Sequence, residues 1–334
     1  MAAVLIRGEG IAGTCCSRLL GDAGLQLTVE KLRRSKLPAV MLGDTAQKLL
    51  RDVFDRADLF EGLPQIRKRV VAWGRDYKPL TLPHSAVVVS EQELLDRIRQ
   101  PLPQSEQPEA AEPEWTIVAS PPLGPSSVEH HFGSRIAAAA PVRLEPGCDV
   151  ETCWIESLES GWLFLLPGGE GTGWLLSVGG SAESLLATGR LIRGQIVELH
   201  PSRGTFPSHP RIALPLSEPG WLACGTAALG FDPLCGDGTG NATREAILGS
   251  AVIREAIGGG DVDSLVAHYQ ARLLAGFQRH VALCLDFYRS GNSGTWWDSQ
   301  LAELERGLAW CSEQLAGSAA FRYRLNGFTL EPVE

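Results

Sequence analysis

The sequence predicts an α/β fold, and three observations predict it. The first 30 residues combine short apolar runs with a glycine-rich turn, in the order strand, turn, helix, strand. Residues 150–217 contain several short apolar runs typical of strands, whereas the chain from residue 242 onward carries long helical segments. The length of 334 residues fits one large domain or two smaller ones.

The N-terminal unit carries the clearest local pattern. Residues 2–6 form an apolar run that predicts a strand, and residues 11–20 predict a helix. Residues 25–29 form a second apolar run, which ends in Glu30. This order is that of the first half of a β-α-β unit.

The turn between the first strand and the helix has the pattern G-x-G-x-x-G, formed by Gly8, Gly10 and Gly13. In such a unit the first glycine permits the tight turn and the second lets the backbone approach a pyrophosphate. The third lets the helix pack closely on the strand. The helix N-terminus, with Ile11 and Ala12, then presents free N–H groups to the phosphates. This context predicts a Rossmann-like dinucleotide-binding unit, and a glycine turn without a ligand is the alternative.

Glu30 lies twenty residues after Gly10, where the dinucleotide-binding pattern places an acidic residue. Its carboxylate is expected to accept hydrogen bonds from the adenosine ribose, and Lys31 beside it is a further candidate contact. An acidic residue at this position disfavours a 2′-phosphate on the ligand. Arg33 and Arg34 in the same loop are expected to be solvated charges.

The other elements follow from local patterns along the chain. Strands are predicted at 70–73, 86–89, 117–119, 154–155, 162–166, 174–178, 196–199 and 212–214, and helices at 45–55, 90–99, 242–257, 261–289 and 298–315. Ser90-x-x-Glu93 is a capping box that opens the second of these helices. Residues 100–114, rich in proline and glutamate, predict a linker. The glycines of 168–173 predict a hairpin turn.

Composition excludes several classes of function. A net charge of −9 disfavours binding to nucleic acid, because phosphates must be neutralised by basic residues. No apolar run is long enough for a membrane span, and the N-terminus lacks the basic region of a secretory signal, so a cytoplasmic location is expected. The eight cysteines form no C-x-x-C pair and the histidines no ligand spacing, so no metal is expected.

A second glycine-rich segment indicates which dinucleotide is expected. A strand over 221–224 leads into the sequence GTAA, and FDPLCGDG then precedes a helix. This segment resembles the flavin-binding loop of the FAD-dependent monooxygenases of the para-hydroxybenzoate hydroxylase type. Its spacing is that of the geranylgeranyl reductase and tryptophan halogenase branches, with their pattern G-D-A-A followed by P-L-x-G-[DE]-G. The resemblance implies FAD as the cofactor. The positions that match the cofactor-binding residues of the family are Gly225, Thr226, Pro233, Gly236, Asp237 and Gly238.

In this family the loop N–H groups and the next helix N-terminus support negative charge on the reduced flavin ring. The chain departs from the family pattern in several places, and one further residue does not suit the ligand. Thr226 replaces an aspartate that contacts the ribityl chain, and Ser90 and Glu91 occupy the region where many relatives carry an arginine beside the cofactor. Glu9 puts a carboxylate near the expected pyrophosphate, which is unfavourable unless that carboxylate points into solvent.

The resemblance implies a Rossmann-like FAD-binding domain, an inserted β-sheet substrate domain and a helical C-terminal segment. The expected boundaries are 1–60, 84–135 and 218–260 for the first, 61–83 and 136–217 for the second, and 261–334 for the third. The implied reaction is oxygenation of an aromatic or electron-rich substrate, small or peptidyl, with electrons from NAD(P)H or a flavin reductase. The alternatives are a flavin-dependent reductase or dehydrogenase, an enzyme that modifies peptidyl tryptophan, and a non-catalytic dinucleotide-binding protein.

Residues 162–167 (WLFLLP) resemble the halogenase signature W-x-W-x-I-P, but a role as the wall of the substrate sheet is expected. The halogenase lysine precedes a strand tryptophan by four residues, and that spacing falls on Arg69; Lys68 is one residue out, on the opposite face of a strand. His84 is expected to be an inert loop residue, and Asp232 is expected to have a structural role. No catalytic acid or base is named by the sequence.

Overall fold

The computed structural model describes residues 2–32, 34–76, 78–99, 112–124, 126–235, 237–317 and 321–333. The helices are α1 (Ile11–Gly21), α2 (Asp44–Phe54), α3 (Glu91–Ile98), α4 (Ala182–Thr188), α5 (Gly238–Ile257), α6 (Val262–Arg289) and α7 (Thr295–Ala316). The strands are β1 (Ala3–Arg7), β2 (Gln26–Glu30), β3 (Val40–Gly43), β4 (Gln65–Ala72), β5 (Leu80–Val89), β6 (Trp115–Val118), β7 (Val128–His131), β8 (Ile136–Leu144), β9 (Thr152–Leu158), β10 (Gly161–Gly169), β11 (Thr172–Val178), β12 (Ile196–Leu199), β13 (Gly204–Pro207), β14 (Arg211–Leu214), β15 (Ser217–Glu218), β16 (Trp221–Ala223), β17 (Leu229–Gly230), β18 (Tyr323–Asn326) and β19 (Thr329–Pro332).

The predicted N-terminal unit lies at the centre of a five-stranded sheet with the order β15-β16-β6-β1-β2. Strand β1 pairs in parallel with β2 on one side and with β6 on the other, and β16 is parallel to β6. The inner positions Val4, Ile6 and Ile117 are almost fully buried. Helix α1 packs against α5, so the helices that follow the two glycine-rich segments lie side by side.

A second sheet of nine strands has the order β12-β8-β11-β10-β9-β4-β5-β3, and β13 also pairs with β8. One of its faces packs on α4 through Leu163, Leu165 and Leu175. The opposite face, with Trp162 and Val178, joins the main core of the protein. The sheet is therefore covered on both sides, as a mixed sheet inside an α/β protein requires.

Several predicted elements are confirmed with longer bounds. The apolar runs at 70–73 and 86–89 are the ends of β4 and β5, and residues 168–173 contain the hairpin turn between β10 and β11. The capping box is also confirmed, since the Ser90 hydroxyl accepts the N–H of Glu93 at 3.1 Å. Most of the predicted linker, residues 100–111, lies outside the described residues.

One prediction of local structure is wrong. His84 lies within β5 and not in a loop, because β5 extends to Leu80 through its pairing with β4. The helical C-terminal segment is confirmed by α6 and α7, and it is followed by the hairpin β18–β19, whose turn contains Gly327 with a φ of 57°. Asn326 pairs with Thr329, so Gly327 is the first of two turn residues, a position that needs a positive φ in a two-residue hairpin.

Candidate functional site

The glycine turn after β1 forms the centre of the candidate site. Gly8 has a φ of 112° and donates its N–H to the carbonyl of Glu30 at 2.9 Å. Gly10 is the N-cap of α1 and has no side chain with which to cap it. The first N–H groups of a helix have no partner within the helix, so those of Ile11 and Ala12 remain available at this end.

The three glycines of the turn are glycine for different reasons. A Cβ on Gly13 would lie 2.0 Å from the carbonyl oxygen of Gly8, and one on Gly8 would lie 2.5 Å from Oγ of Ser120. Gly10 has an ordinary φ of −74°, and a Cβ there would meet only the side chain of Arg34, at 3.0 Å. Packing of the protein therefore explains Gly8 and Gly13 but not Gly10. The three atoms nearest to that Cβ belong to one side chain and none to the main chain, so a ligand can approach the Gly10 backbone closely, as a pyrophosphate requires.

Glu30 lies at the end of β2, directly opposite Arg7 on β1. The Arg7 Nε–H donates to the Glu30 carboxylate at 2.8 Å, and the Glu30 side chain is 45% exposed. A carboxylate has about four acceptor positions. The paired Glu30 can therefore still accept hydrogen bonds from ribose hydroxyls. Lys31, the next residue, is exposed.

The second glycine-rich segment lies against the first. Gly225 follows β16 with a φ of 57°, and a Cβ on it would lie 2.8 Å from Cβ of Ala12. Its N–H donates to the buried carboxyl of Glu245 at 2.6 Å. Thr226 is exposed beside it, and its hydroxyl lies 3.5 Å from the carbonyl oxygen of Ala119. The two segments thus lie in contact with each other, although they are more than 200 residues apart in the sequence.

Four of the residues that match the family's cofactor-binding positions lie in the loop before α5 or at the start of that helix. Pro233 is half-buried, and Gly236 lies outside the described residues. Asp237 caps α5 by accepting the N–H of Gly240 at 2.9 Å, and its carboxylate lies 3.4 Å from the guanidinium of Arg244. A Cβ on Gly238 would meet no atom within 4 Å, so the first residue of α5 faces open space.

The expectation that Arg34 is a solvated charge is wrong. Its guanidinium forms an ion pair with Glu91, whose side chain is only 4% exposed. Arg33 lies outside the described residues. Glu9, the other carboxylate near the turn, lies 3.6 Å from a guanidinium nitrogen of Arg99. This pairing offsets part of the negative charge that Glu9 brings to the glycine turn.

A buried polar network lies behind the second segment, and the sequence alone does not reveal it. Asp232 and Arg135 form an ion pair at 3.1 Å, and both side chains are fully buried. The hydroxyl of Tyr288 donates to Asp232 at 2.9 Å and accepts the indole N–H of Trp162 at 3.1 Å. Burial raises the pKa of Asp232, and the Arg135 charge opposes that shift. The network confirms a structural role for Asp232 and ties the sheet, α6 and the second segment together.

Three side chains on the core-facing side of the nine-stranded sheet are partly open to solvent. Val71, Phe164 and Leu176 are half-buried and lie in one row across the sheet, together with the buried Ile155. On the opposite face Leu163 and Leu175 have no exposed surface. An aromatic and aliphatic surface that solvent partly reaches is the kind of wall that lines a pocket for an apolar substrate.

The residues compared with the halogenase lysine do not form a lysine site. Lys68 is 56% exposed, and its ammonium group lies 3.5 Å from Asp149 at the surface. Arg69 belongs to the opposite face of β4, where its guanidinium lies 3.1 Å from Nε2 of His84. Burial, and secondarily the Arg69 charge, lower the pKa of His84. His84 therefore does have a partner, contrary to its predicted isolation.

Among the described residues, no group of three or more His, Cys, Asp and Glu side chains is arranged to hold a metal ion. The described helices include none that is both long and apolar enough to span a bilayer.

Solved structures match this chain over nearly its whole length. The flavin-dependent halogenase CmlS is 17% identical, with a TM-score of 0.74 over 98% of this chain and 74% of its own. The peptidyl tryptophan dihydroxylase QhpG, essential for tryptophylquinone cofactor biogenesis, is 16% identical, with a TM-score of 0.68 over 99% and 86% of the two chains. HpxO of Klebsiella pneumoniae, complexed with FAD and uric acid, is 15% identical, with a TM-score of 0.60 over 95% and 93%.

These matches show that the chain has the fold of flavin-dependent monooxygenases and halogenases. The fold class and the structural resemblance predicted from the sequence are thereby confirmed. No protein-family model and no curated protein sequence matches the chain.

Proposed function

We propose that the chain is an FAD-dependent oxidoreductase, a monooxygenase that hydroxylates an aromatic or electron-rich substrate. One observation carries the proposal. The N-terminus of α1 lies against the strand end at Gly225 through Ala12, and the three atoms nearest to a Cβ on Gly10 all belong to the side chain of Arg34. Two glycine turns that meet at a helix N-terminus suit an extended dinucleotide better than a mononucleotide.

The residues fit FAD in the following way. The N–H groups at the start of α1 would hold the pyrophosphate, and Glu30 would hold the adenosine ribose. The second segment would hold the ribityl chain and the flavin. The residues proposed for this binding are Gly8, Gly10, Ile11, Ala12, Gly13, Glu30, Lys31, Gly225, Thr226, Pro233, Gly236, Asp237 and Gly238. Bound FAD would supply the oxidation–reduction chemistry and, when reduced, the reaction with molecular oxygen.

The chain itself would orient the substrate and exclude water. The half-buried row of Val71, Phe164 and Leu176 offers an apolar wall, and Arg69 with His84 adds a polar end on the same face. A wall of this kind favours a planar, largely apolar substrate with a polar group at one end, whether small or part of a peptide. The electrons would come from NAD(P)H or from a separate flavin reductase.

The domain boundaries form part of the proposal. Residues 1–60, 84–135 and 218–260 would make the cofactor domain, and 61–83 with 136–217 the substrate domain. The last segment, 261–334, would close the main core, to which α6 contributes its buried Phe277 and Tyr288.

The visible absorption spectrum of the purified protein, before and after incubation with FAD and removal of free FAD, tests the cofactor. The oxidised-flavin bands should stay with the protein. A folded protein that remains colourless after incubation would refute the proposal.

The reaction class is tested separately by reducing the FAD-loaded protein under ¹⁸O₂ with a panel of aromatic compounds. Incorporation of ¹⁸O into a product supports oxygenation. A gain or loss of double bonds in the substrate without incorporation of ¹⁸O would identify a dehydrogenase or a reductase. Bound FAD with no turnover of any kind would favour a non-catalytic binding protein.

A further inference from the structure

Two oppositely charged side chains meet beside the glycine turn. Arg34 comes from the loop after β2, and Glu91 is the first residue of α3. Nη1 of Arg34 donates to the Glu91 carboxylate at 2.9 Å, and Nη2 donates to its other oxygen. Glu91 also accepts the N–H of Leu37 at 2.8 Å. Glu91 is thus a buried, fully engaged carboxylate that fixes one edge of the Arg34 guanidinium.

The second edge of that guanidinium, formed by Nε and Nη2, faces Gly10 at the N-terminus of α1. Nη2 lies 3.0 Å and Nε 3.8 Å from the position of a Cβ on Gly10. Of the five N–H donors of an arginine, two on Nη1 are used by Glu91 and by the carbonyl of Ser35 at 3.1 Å, and one on Nη2 by Glu91. The remaining two, on Nη2 and Nε, have no partner in the described part of the chain. They form an edge suited to bidentate binding of an oxyanion.

We propose that Arg34 binds the phosphate groups of the dinucleotide and that Glu91 is a positioning residue for Arg34, an inference that rests on the proposed function. The cation at the turn then comes from the loop after β2, and α3 supplies the carboxylate that orients it. In this chain the arginine would thus lie in the loop after β2 and the carboxylate at the start of α3, whereas many relatives carry an arginine in the region of residue 91. The start of α3 suits a carboxylate, because the helix dipole favours negative charge there.

An exchanged pair can be tested by exchanging it back. The variants are R34A, E91Q, R34E and the double variant R34E/E91R, with R18A as a matched control. Arg18 forms a surface ion pair with Asp22 at the other end of α1, so its loss removes an arginine without touching the turn. FAD and ADP binding are measured by calorimetry, and folding is checked by the thermal midpoint of each variant.

Loss of a charge-assisted contact to a phosphate should weaken FAD and ADP binding by at least about tenfold in R34A. E91Q keeps Arg34 but loosens it, so a smaller weakening is expected. R34E should bind worst, and R34E/E91R should recover binding, since an arginine then reaches the same place from α3. R18A should bind like the wild type.

The proposed function and the roles of Arg34 and Glu91 are refuted by different results. If the wild-type protein binds neither FAD nor ADP, the proposed function falls, and this inference falls with it. If the wild type binds FAD but folded R34A binds it equally well, only the role of Arg34 is refuted. If R34A is weak but the double variant recovers nothing beyond R34E, the positioning role of Glu91 is refuted.

Discussion

The carboxyl group of Glu245 accepts the N–H of Gly225 at 2.6 Å, where the second glycine segment lies against the start of α1. The side chain is buried, and its other oxygen has no hydrogen-bond partner among the described residues. Burial raises the pKa of Glu245 to about 8, although the Gly225 N–H and the charge of Arg211 oppose the shift. The folded protein therefore keeps this carboxyl protonated near neutral pH.

This relationship predicts how stability depends on pH. Between the ordinary glutamate pKa of about 4.5 and the raised value of about 8, the folded state holds a proton that the unfolded state has lost. Stability should therefore fall as the pH rises through this range, by up to about 1.4 kcal/mol per pH unit for this group. Glu245→Gln keeps the acceptor for Gly225 and cannot ionise.

Chemical denaturation at several pH values between about 5 and about 8 measures this difference. The Glu245→Gln variant should be more stable than the wild type near pH 8, and the gap should narrow toward pH 5. A gap that stays constant with pH would mean that Glu245 does not carry the dependence.

The contrast between Gly10 and Gly13 predicts opposite effects of two small substitutions. Gly10→Ser should leave stability unchanged or slightly raised, because serine is a favoured N-cap. It should nevertheless weaken FAD binding roughly tenfold or more, because the hydroxyl fills the space beside the turn and accepts an N–H that the phosphate needs. Gly13→Ala should cost about 2 kcal/mol or more of stability, since its Cβ would lie 2.0 Å from the carbonyl of Gly8.

Thermal unfolding without ligand and calorimetric titration with FAD separate these effects. If Gly10→Ser lost stability and Gly13→Ala did not, the packing argument for the turn would be wrong. Unchanged FAD binding in folded Gly10→Ser would show that the phosphate groups do not bind at the backbone of Gly10.

The buried pair of Arg135 and Asp232 predicts strong coupling between two side chains. Asp232→Asn leaves the Arg135 charge buried without its counter-ion, which should cost about 3–5 kcal/mol. Arg135→Met should cost a similar amount of stability, because it leaves the Asp232 carboxylate buried without its counter-ion. The double variant Arg135→Met with Asp232→Asn should lose less than the sum of the single losses, because no unpaired charge is then left buried. Tyr288→Phe removes the hydrogen bond to Asp232 and the acceptor of the Trp162 N–H, and it should cost less than Asp232→Asn, about 1–3 kcal/mol.

Urea denaturation of the four variants measures the coupling. Additive losses in the double variant would contradict the pairing. A loss in Tyr288→Phe as large as that in Asp232→Asn would show that the hydroxyl, and not the ion pair, dominates the network.

The position of Lys68 predicts that the protein does not release hypohalous acid. The lysine lies at the surface beside Asp149, and the residue on the pocket face is Arg69. With FAD, a flavin reductase, oxygen and chloride or bromide, a chemical trap for hypohalous acid should react no faster than in the absence of the protein. Lys68→Ala should behave like the wild type. Halogenation of the trap that disappears in Lys68→Ala would overturn this prediction.

The sequence predicted those parts of the fold that depend on local patterns. The strand, turn and helix around Gly8 and Gly13 follow from residues that are close in the chain, and so does the capping box of Ser90. The strand β8 was missed because its sequence, IAAAAPVRL, is rich in alanine, which has little intrinsic preference for strands. Its place between β11 and β13 is decided by pairing partners that a local pattern does not contain.

The candidate site shows the same division. The glycines and Glu30 were found because their spacing is fixed by a β-α-β unit. The partners of Arg34 and Asp232 were not, because Glu91 is 57 residues away from the first and Arg135 is 97 residues away from the second. A cluster of charged residues in a loop looks solvated in the sequence, and only the folded chain shows which of them are paired.

Calorimetric titration of the purified, cofactor-free protein with FAD tests the central claim most directly. The wild-type protein should bind one FAD per chain saturably. Glu30→Ala and Gly10→Ser should both bind FAD more weakly than the wild type, while their thermal midpoints stay near that of the wild type. A folded wild-type protein that shows no binding of FAD would contradict the account, as would FAD binding that neither substitution affects.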